Sequence, residues 1–136
     1  MRDGPPPGLV AMRDGVAVGW VGLGPRQGFP RHARSRTIPQ LPGDGVWVIN
    51  CFVVARAARG TGVGGAMLEA AIAYAGEHGA KLLEGYPVET GGDRISSAAA
   101  FMGTVAMFDR AGFEVAATTT STSAGGRPRV VMRREP

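Results

Sequence analysis

Cysteine is almost missing from this chain: Cys51 stands alone, so no internal disulfide can form. Its place in an apolar run predicts a buried, inert thiol rather than a nucleophile. No apolar stretch approaches the roughly 20 residues that a membrane-spanning helix needs. The opening Met1-Arg2-Asp3-Gly4 leads into three prolines and not into the apolar core of a signal peptide. The expectation is a cytoplasmic protein that engages no membrane. Lysine is as scarce as cysteine, Lys81 being the only one, and the net charge of +4 is carried by arginine. Forked, planar arginine donors suit an anionic ligand. Nucleic acid would be drawn to the same charge, but it needs a contiguous basic face, with exposed aromatics for single strands. The sequence offers two separate clusters instead, Arg26, Arg31, Arg34 and Arg36, then Arg127, Arg129, Arg133 and Arg134. Read plainly they are solvated loop and tail charge, and nucleic acid is not the expected partner.

At 136 residues with 44% hydrophobic content, the chain fits one domain over 1–136, because folding at this size buries roughly two-thirds of the surface that the unfolded chain exposes. Leu9 to Met12 and Val16 to Leu23 flank Asp14-Gly15, and Asp-Gly between two apolar segments predicts a β-hairpin. Met-Arg-Asp-Gly occurs at 1–4 and again at 12–15; the first copy runs into Pro5-Pro6-Pro7 and cannot start the same hairpin. From Pro25 to Gly45, four prolines, four arginines and no sustained periodicity predict a long surface connection. Val46 to Val54 (VWVINCFVV) is nearly continuous in β-branched and aromatic residues, which predicts a strand buried on both faces in mid-sheet. Val63, Met67, Ala70 and Tyr74 recur at helical spacing and Gly79 supplies a stop, giving a helix over about Gly62 to His78. Lys81 to Val88 then reads as a strand, and strand, helix, strand at this length implies a right-handed parallel crossover. After a loop from Thr90 to Ser97, Ala98 to Ala111 reads as a second helix, with Phe101, Val105 and Phe108 on one face. Phe113 to Thr120 and Arg129 to Met132 close the chain as an antiparallel pair.

Between the long strand and the first helix lies Arg59-Gly60-Thr61-Gly62-Val63-Gly64-Gly65. The first N–H groups of a helix have no intrahelical partner, and with the helix dipole they form a partial positive charge that stabilises an anion, phosphate above all. Glycine at 60, 62, 64 and 65 removes the side chains that would keep an anion from those groups and permits the tight turn. Arg59 adds a charged fork. The spacing also satisfies Gly-x-Gly-x-x-Gly with Glu84 about 20 residues on, so the rival reading is an NAD(P)- or FAD-binding oxidoreductase fragment. In that fingerprint the first glycine closely follows the strand, whereas Ala55-Arg56-Ala57-Ala58-Arg59 separates Val54 from Gly60 here. That fold also carries more parallel crossovers than the one predicted. No Gly-Lys-Ser or Gly-Lys-Thr follows, which excludes the phosphate-binding lysine loop.

Val54, followed by Arg59-Gly60-Thr61-Gly62-Val63-Gly64, resembles the pyrophosphate-binding motif of the GNAT superfamily of acyl-CoA N-acetyltransferases, an Arg or Gln followed by x-x-Gly-x-Gly or x-x-Gly-x-Ala after the central strand. Phe108-Asp109-Arg110-Ala111-Gly112-Phe113 resembles the second signature of that family, aromatic-Glu-Lys-x-Gly-Phe. The two stand in the right order, and the resemblance covers roughly Leu9 to Met132. It implies an α/β (α+β) fold with a mixed, mostly antiparallel twisted sheet, a central splayed parallel pair and two main helices. It implies acetyl-CoA as cosubstrate, lying between the strand that ends at Val54 and the strand of Leu82 to Pro87. The pyrophosphate would meet the N–H groups of Arg59, Gly60, Thr61, Gly62, Val63 and Gly64, with Gly65 beside them. The pantetheine amides would pair with the backbone of Phe52, Val53 and Val54, and Phe108 would line the cofactor. The acceptor would be a primary amine on a small molecule or a peptide, and no metal is called for. The family usually begins with a strand and two helices that wall the acceptor site, for which the residues before Leu9 leave no room. Either the chain is shortened or a partner subunit completes the groove, so a homodimer is expected.

Transfer needs a neutral amine, and a lysine-like amine with pKa near 10.4 starts roughly 3 units too protonated at pH 7, a penalty of about 4 to 5 kcal/mol. Glu84 and Tyr86 are two apart on a predicted strand and so face one side near the splay, which nominates them as base relay and donor. The plainer reading is a strand pair in contact with solvent. N–H groups around Phe52 would hold the oxyanion. Where the family often has a tyrosine to protonate the departing thiolate, Phe108 has no proton to give. A thiol of pKa near 8.5 leaves tolerably as thiolate and can take a proton from water, with Tyr86 or Thr104 as substitute donors. A non-catalytic acyl-CoA sensor is the further reading that Phe108 leaves open.

Overall fold

The computed structural model describes residues 8–29, 37–90, 103–120 and 128–136. Asp14 (φ 51°) and Gly15 (φ 79°) both take positive φ, the pair of conformations that a two-residue hairpin turn demands. They join β1 (Gly8–Arg13) to β2 (Val16–Pro25). A short 3-10 turn at Arg26–Gly28 follows, and β3 (Val46–Val54) returns antiparallel to β2. Next come α1 (Val63–Glu77), β4 (Leu82–Gly85), α2 (Val105–Arg110), β5 (Glu114–Thr118) and β6 (Val130–Arg134). The sheet order is β1-β2-β3-β4-β6-β5, and β3–β4 is its parallel pair. This is the mixed, mostly antiparallel sheet with a central parallel pair and two main helices that the motifs implied.

Several boundaries differ from those read in the sequence, each for a local reason. Pro87 ends the fourth strand early because it has no N–H to offer a ladder; Val88 keeps only isolated bridges to Thr104 and Arg129. The second helix does not run from Ala98: Gly103 (φ 87°) breaks the backbone and the Thr104 hydroxyl accepts from Met107 N at 3.3 Å, an N-cap that starts α2 at Val105. The stretch Ala98 to Met102, with Phe101, lies outside the described residues. The buried face of α1 is also rotated from the expected one. Val63, Met67, Leu68, Ala71, Ile72 and Ala75 go inside, while Ala70 is exposed and Tyr74 half-buried at the edge of the stripe. Among the described residues no helix is long and apolar enough to cross a membrane.

The sheet carries a core on each face. Against α1 and α2 lie Val21, Leu23, Trp47, Ile49, Leu83 and Met132. On the opposite face Val48, Tyr86 and Val131 pack with Ile38 from the long connection, flanked by Phe29 and Leu41. The β2–β3 ladder is irregular at one point. Gly22 pairs with Cys51 and Leu23 with Ile49, so Asn50 has no residue opposite it on β2. This bulge resets the alternation, and Phe52 joins Trp47 and Ile49 on the helix side instead of pointing away. Only the first half of β3 is buried on both faces as expected; Val53 is 49% exposed.

Candidate functional site

The parallel ladder stops at Ile49 opposite Gly85, while β3 continues to Val54. From Asn50 onward β3 stays paired to β2 but has no ladder on the β4 side. The two middle strands therefore splay, and the backbone of Phe52, Val53 and Val54 forms one lip of the cleft. Tyr86 follows β4 on the other lip.

The glycine turn stands at the far end of β3. A 3-10 turn at Arg56–Ala58 carries the chain from the strand, and Thr61 fixes the turn by donating its hydroxyl to Ala58 O at 2.5 Å. Gly60 and Gly62 have φ of 76° and 85°, a region that disfavours every residue with a Cβ. Gly62 is the N-cap of α1, and no side chain caps that end. A Cβ at Gly60, Gly62 or Gly65 would meet nothing within 4 Å, so among the described residues no side chain fills the space beside these glycines. Arg59 sends Nε back to Val54 O at 3.3 Å, which joins the turn to the lip of the cleft. Gly64 lies beside Met107, whose sulfur would be 3.4 Å from an added Cβ.

Phe108 sits in the fork of the splay. It is fully buried, edge-on to Phe52 at 6.0 Å and to Phe113 at 4.8 Å between centroids. A Cβ on Gly85 would overlap its ring, and one on Gly103 would lie 2.7 Å from it. The ring has the room only because these two neighbours are glycine.

Glu84 and Tyr86 are brought together as the strand period requires, but away from solvent: both are fully buried. The Tyr86 hydroxyl donates to Glu84 Oε2 at 2.5 Å. Arg133 holds Glu84 Oε1 through Nε at 2.7 Å and Nη2 at 2.6 Å. The plainer expectation of a solvated strand pair is thus corrected. Burial pushes the Tyr86 phenol well above the usual tyrosine range, its hydrogen bond to Glu84 and that charge push it further, and Arg26 and Arg133 pull weakly the other way.

The arginine clusters are corrected too. Arg31, Arg34, Arg36 and Arg127 lie outside the described residues, but the others are structural. Arg26 donates Nη1 to Leu41 O at 2.8 Å, and Arg133 donates Nη1 to Pro42 O at 2.8 Å and Nη2 to Leu41 O at 3.2 Å. Together they strap the connection onto the sheet. Arg129 is buried, donating to Tyr86 O at 3.0 Å, and burial draws its pKa down. Arg134 donates to Ala111 O at 2.6 Å, at the C-terminus of α2. Sequence reasoning missed Arg133 as the partner of Glu84, although a signal was present. A carboxylate inside the apolar run Leu82-Leu83-Glu84-Gly85 needs a buried counter-charge, and Arg133 is two residues from the apolar Val131 on the last strand. Cys51 is half-buried, with its thiol pushed up by burial.

The model of the acetyltransferase (GNAT) family matches residues 1–113. Among solved structures, the chain is similar to the ribosomal-protein-alanine N-acetyltransferase of Brucella melitensis, with 24% identity, a TM-score of 0.61, and 93% of this chain covering 67% of that one. A GCN5-related N-acetyltransferase of Kribbella flavida shares 27% identity at a TM-score of 0.57, with 90% of this chain covering 62% of that one. The Salmonella typhimurium protein yncA, solved with its cofactor acetyl-CoA, shares 20% identity at a TM-score of 0.58, with 93% of this chain covering 62% of that one. The chain thus spans about two thirds of the length of these neighbours. No curated protein sequence matches it.

Proposed function

Since the chain belongs to the acetyltransferase (GNAT) family, we propose that it moves the acetyl group of acetyl-CoA onto a primary amine of a small molecule or a peptide. The observation that carries this reading is the cleft between β3 and β4, which opens where the ladder ends at Ile49 and Gly85 and leads to an open glycine cradle. A dinucleotide reading fits less well, because among the described residues the sheet has one parallel strand pair and a 3-10 turn stands between β3 and Gly60.

When bound, acetyl-CoA supplies a thioester carbonyl activated for attack. The uncapped N–H groups at the start of α1 receive the diphosphate, and the free backbone edge at Phe52, Val53 and Val54 pairs with the pantetheine amides. N–H groups around Phe52 stabilise the charge that builds on the acyl oxygen. Phe108 supports the fork from the core and donates nothing. Tyr86 and Glu84 form the relay: the phenol oxygen takes a proton from the attacking amine while its own proton passes to Glu84 Oε2. The phenol then never needs to exist as a free tyrosinate, in keeping with its raised pKa. The bond formed is amine nitrogen to acyl carbon, the bond broken is carbon to sulfur, and the proton held on Glu84 returns through the phenol to the departing thiolate, which leaves both relay groups as they began.

The test is calorimetry with acetyl-CoA, followed by thiol release over a panel of primary amines. Binding with release supports the enzyme. Binding without release across a broad panel supports a sensor, and binding of NADH in place of acetyl-CoA overturns the family role. The outer edge of β1, with Val10 and Met12 57% and 60% exposed, is where a second copy would add to the sheet and complete the acceptor wall. A monomer by light scattering with full activity would remove that part. A reaction drawing on acetyl-CoA also suits the cytoplasm.

A further inference from the structure

The start of α1 is surrounded by more positive charge than the glycine cradle alone supplies. Its first turn holds no acidic residue, although a carboxylate there would ordinarily stabilise the dipole. Arg59 and Arg56 are exposed on the preceding turn. From the other side Arg13, the last residue of β1, places Nη1 3.4 Å from Thr61 Oγ1. The Thr61 hydroxyl hydrogen is already committed to Ala58 O, so its oxygen acts as the acceptor and draws the guanidinium over the glycine turn. Arg13, Thr61 and Gly62 form the polar end of a groove of about 280 Å³ between β1 and α1 whose remaining lining is apolar. Among the described residues Arg13, Arg56 and Arg59 form no ion pair. Positive charges gathered at one turn raise the free energy of the empty protein, and a polyanion there relieves it.

We propose that Arg13 is a side-chain clamp on the phosphates of coenzyme A, reaching the glycine turn from β1, and that it makes the site select the phosphate-bearing carrier over a bare pantetheine thioester. The inference rests on the acetyl-CoA reading and adds a residue from outside the glycine motif. A guanidinium at this place gives charge-assisted hydrogen bonds that the neutral backbone donors cannot match. It acts only on the nucleotide end, so it leaves the pantetheine arm and the chemistry at Phe52 untouched.

The experiment compares the wild-type protein with Arg13→Gln and Arg13→Lys, measuring CoA by calorimetry and S-acetylpantetheine by competition against acetyl-CoA. Arg13→Gln should weaken CoA about five- to tenfold, leave pantetheine unchanged, and flatten the dependence of CoA affinity on salt, with Arg13→Lys recovering part of the loss. The side chain is exposed, so an unchanged Tm in the absence of ligand confirms the fold. Unaltered CoA affinity in Arg13→Gln, or an equal loss for CoA and pantetheine, overturns the clamp while leaving the acetyl-CoA reading intact. A wild-type protein that binds no CoA overturns both.

Discussion

Arg133 lies directly opposite Glu84 in the β4–β6 register, and its guanidinium holds one oxygen of that carboxylate at 2.7 and 2.6 Å while also gripping the carbonyls of Leu41 and Pro42. Both oxygens of a fully buried carboxylate are thereby engaged, since Tyr86 takes the other. Breaking such a pair from one side leaves an uncompensated charge indoors, which costs about 3–5 kcal/mol. Arg133→Met should lose stability in that range. The double variant Arg133→Met, Glu84→Met should lose less than the sum of the two single changes, because neither charge is then stranded. Denaturant unfolding measures all four proteins, and strictly additive losses would show that the pair is not coupled.

The raised Tyr86 pKa makes a prediction about alkaline pH. The unfolded chain gives up this proton near the ordinary tyrosine value of 10.0, whereas burial keeps it on the folded chain beyond that point. The folded state therefore binds more protons above about pH 10. Its stability contribution is complete below that pH and falls as pH rises, with a limiting slope of about 1.4 kcal/mol per unit. Tyr86→Phe is less stable at neutral pH through the lost hydrogen bond, yet its unfolding free energy should decline less steeply between about pH 10 and 12. Equal slopes in the two proteins would mean that Tyr86 ionises in the fold as readily as outside it.

Legibility from residues alone divides by range. The Asp14-Gly15 turn, the run from Val46 to Val54 and the helix from Val63 are written in nearest neighbours and in periodicity, and all three are where the sequence puts them. The glycine turn is legible for the same reason, since Gly60 and Gly62 follow the strand within a few residues. The features hidden from the sequence depend on register between distant segments. The bulge at Asn50 turns Phe52 inward, Arg133 meets Glu84 across forty-nine residues, and Gly85 and Gly103 make room for one ring. The start of α2 departs from expectation because apolar spacing at Phe101, Val105 and Phe108 masks a local stop and cap at Gly103 and Thr104.

That shared ring gives a packing prediction. A Cβ at Gly85 would overlap Phe108, and both positions are fully buried or nearly so. Overpacking of this kind typically costs about 1–3 kcal/mol. Gly85→Ala should fall in that range, and adding Phe108→Leu should return part of the loss by vacating the seat. Calorimetric Tm values decide it; a double variant worse than Gly85→Ala alone would show that the ring is not what the methyl strikes.

Gly62 separates backbone strain from electrostatics. Its φ of 85° is left-handed and its missing Cβ faces open space, so Gly62→Ala meets strain of about 1–2 kcal/mol without any clash. If the diphosphate of acetyl-CoA sits on the N–H groups that come after it, this variant should lower Tm yet bind acetyl-CoA within a few-fold of wild type. Gly62→Glu carries the same strain and adds a carboxylate at the positive end of α1. It should stabilise that end when empty, offsetting about 0.3–1 kcal/mol of the strain, and weaken acetyl-CoA at least about tenfold more than the alanine variant does. Calorimetry at low salt gives the largest separation, because screening blunts the repulsion as salt rises. Equal affinity for the alanine and glutamate variants would place the phosphates elsewhere, and the acetyl-transfer reading would lose the contact it stands on.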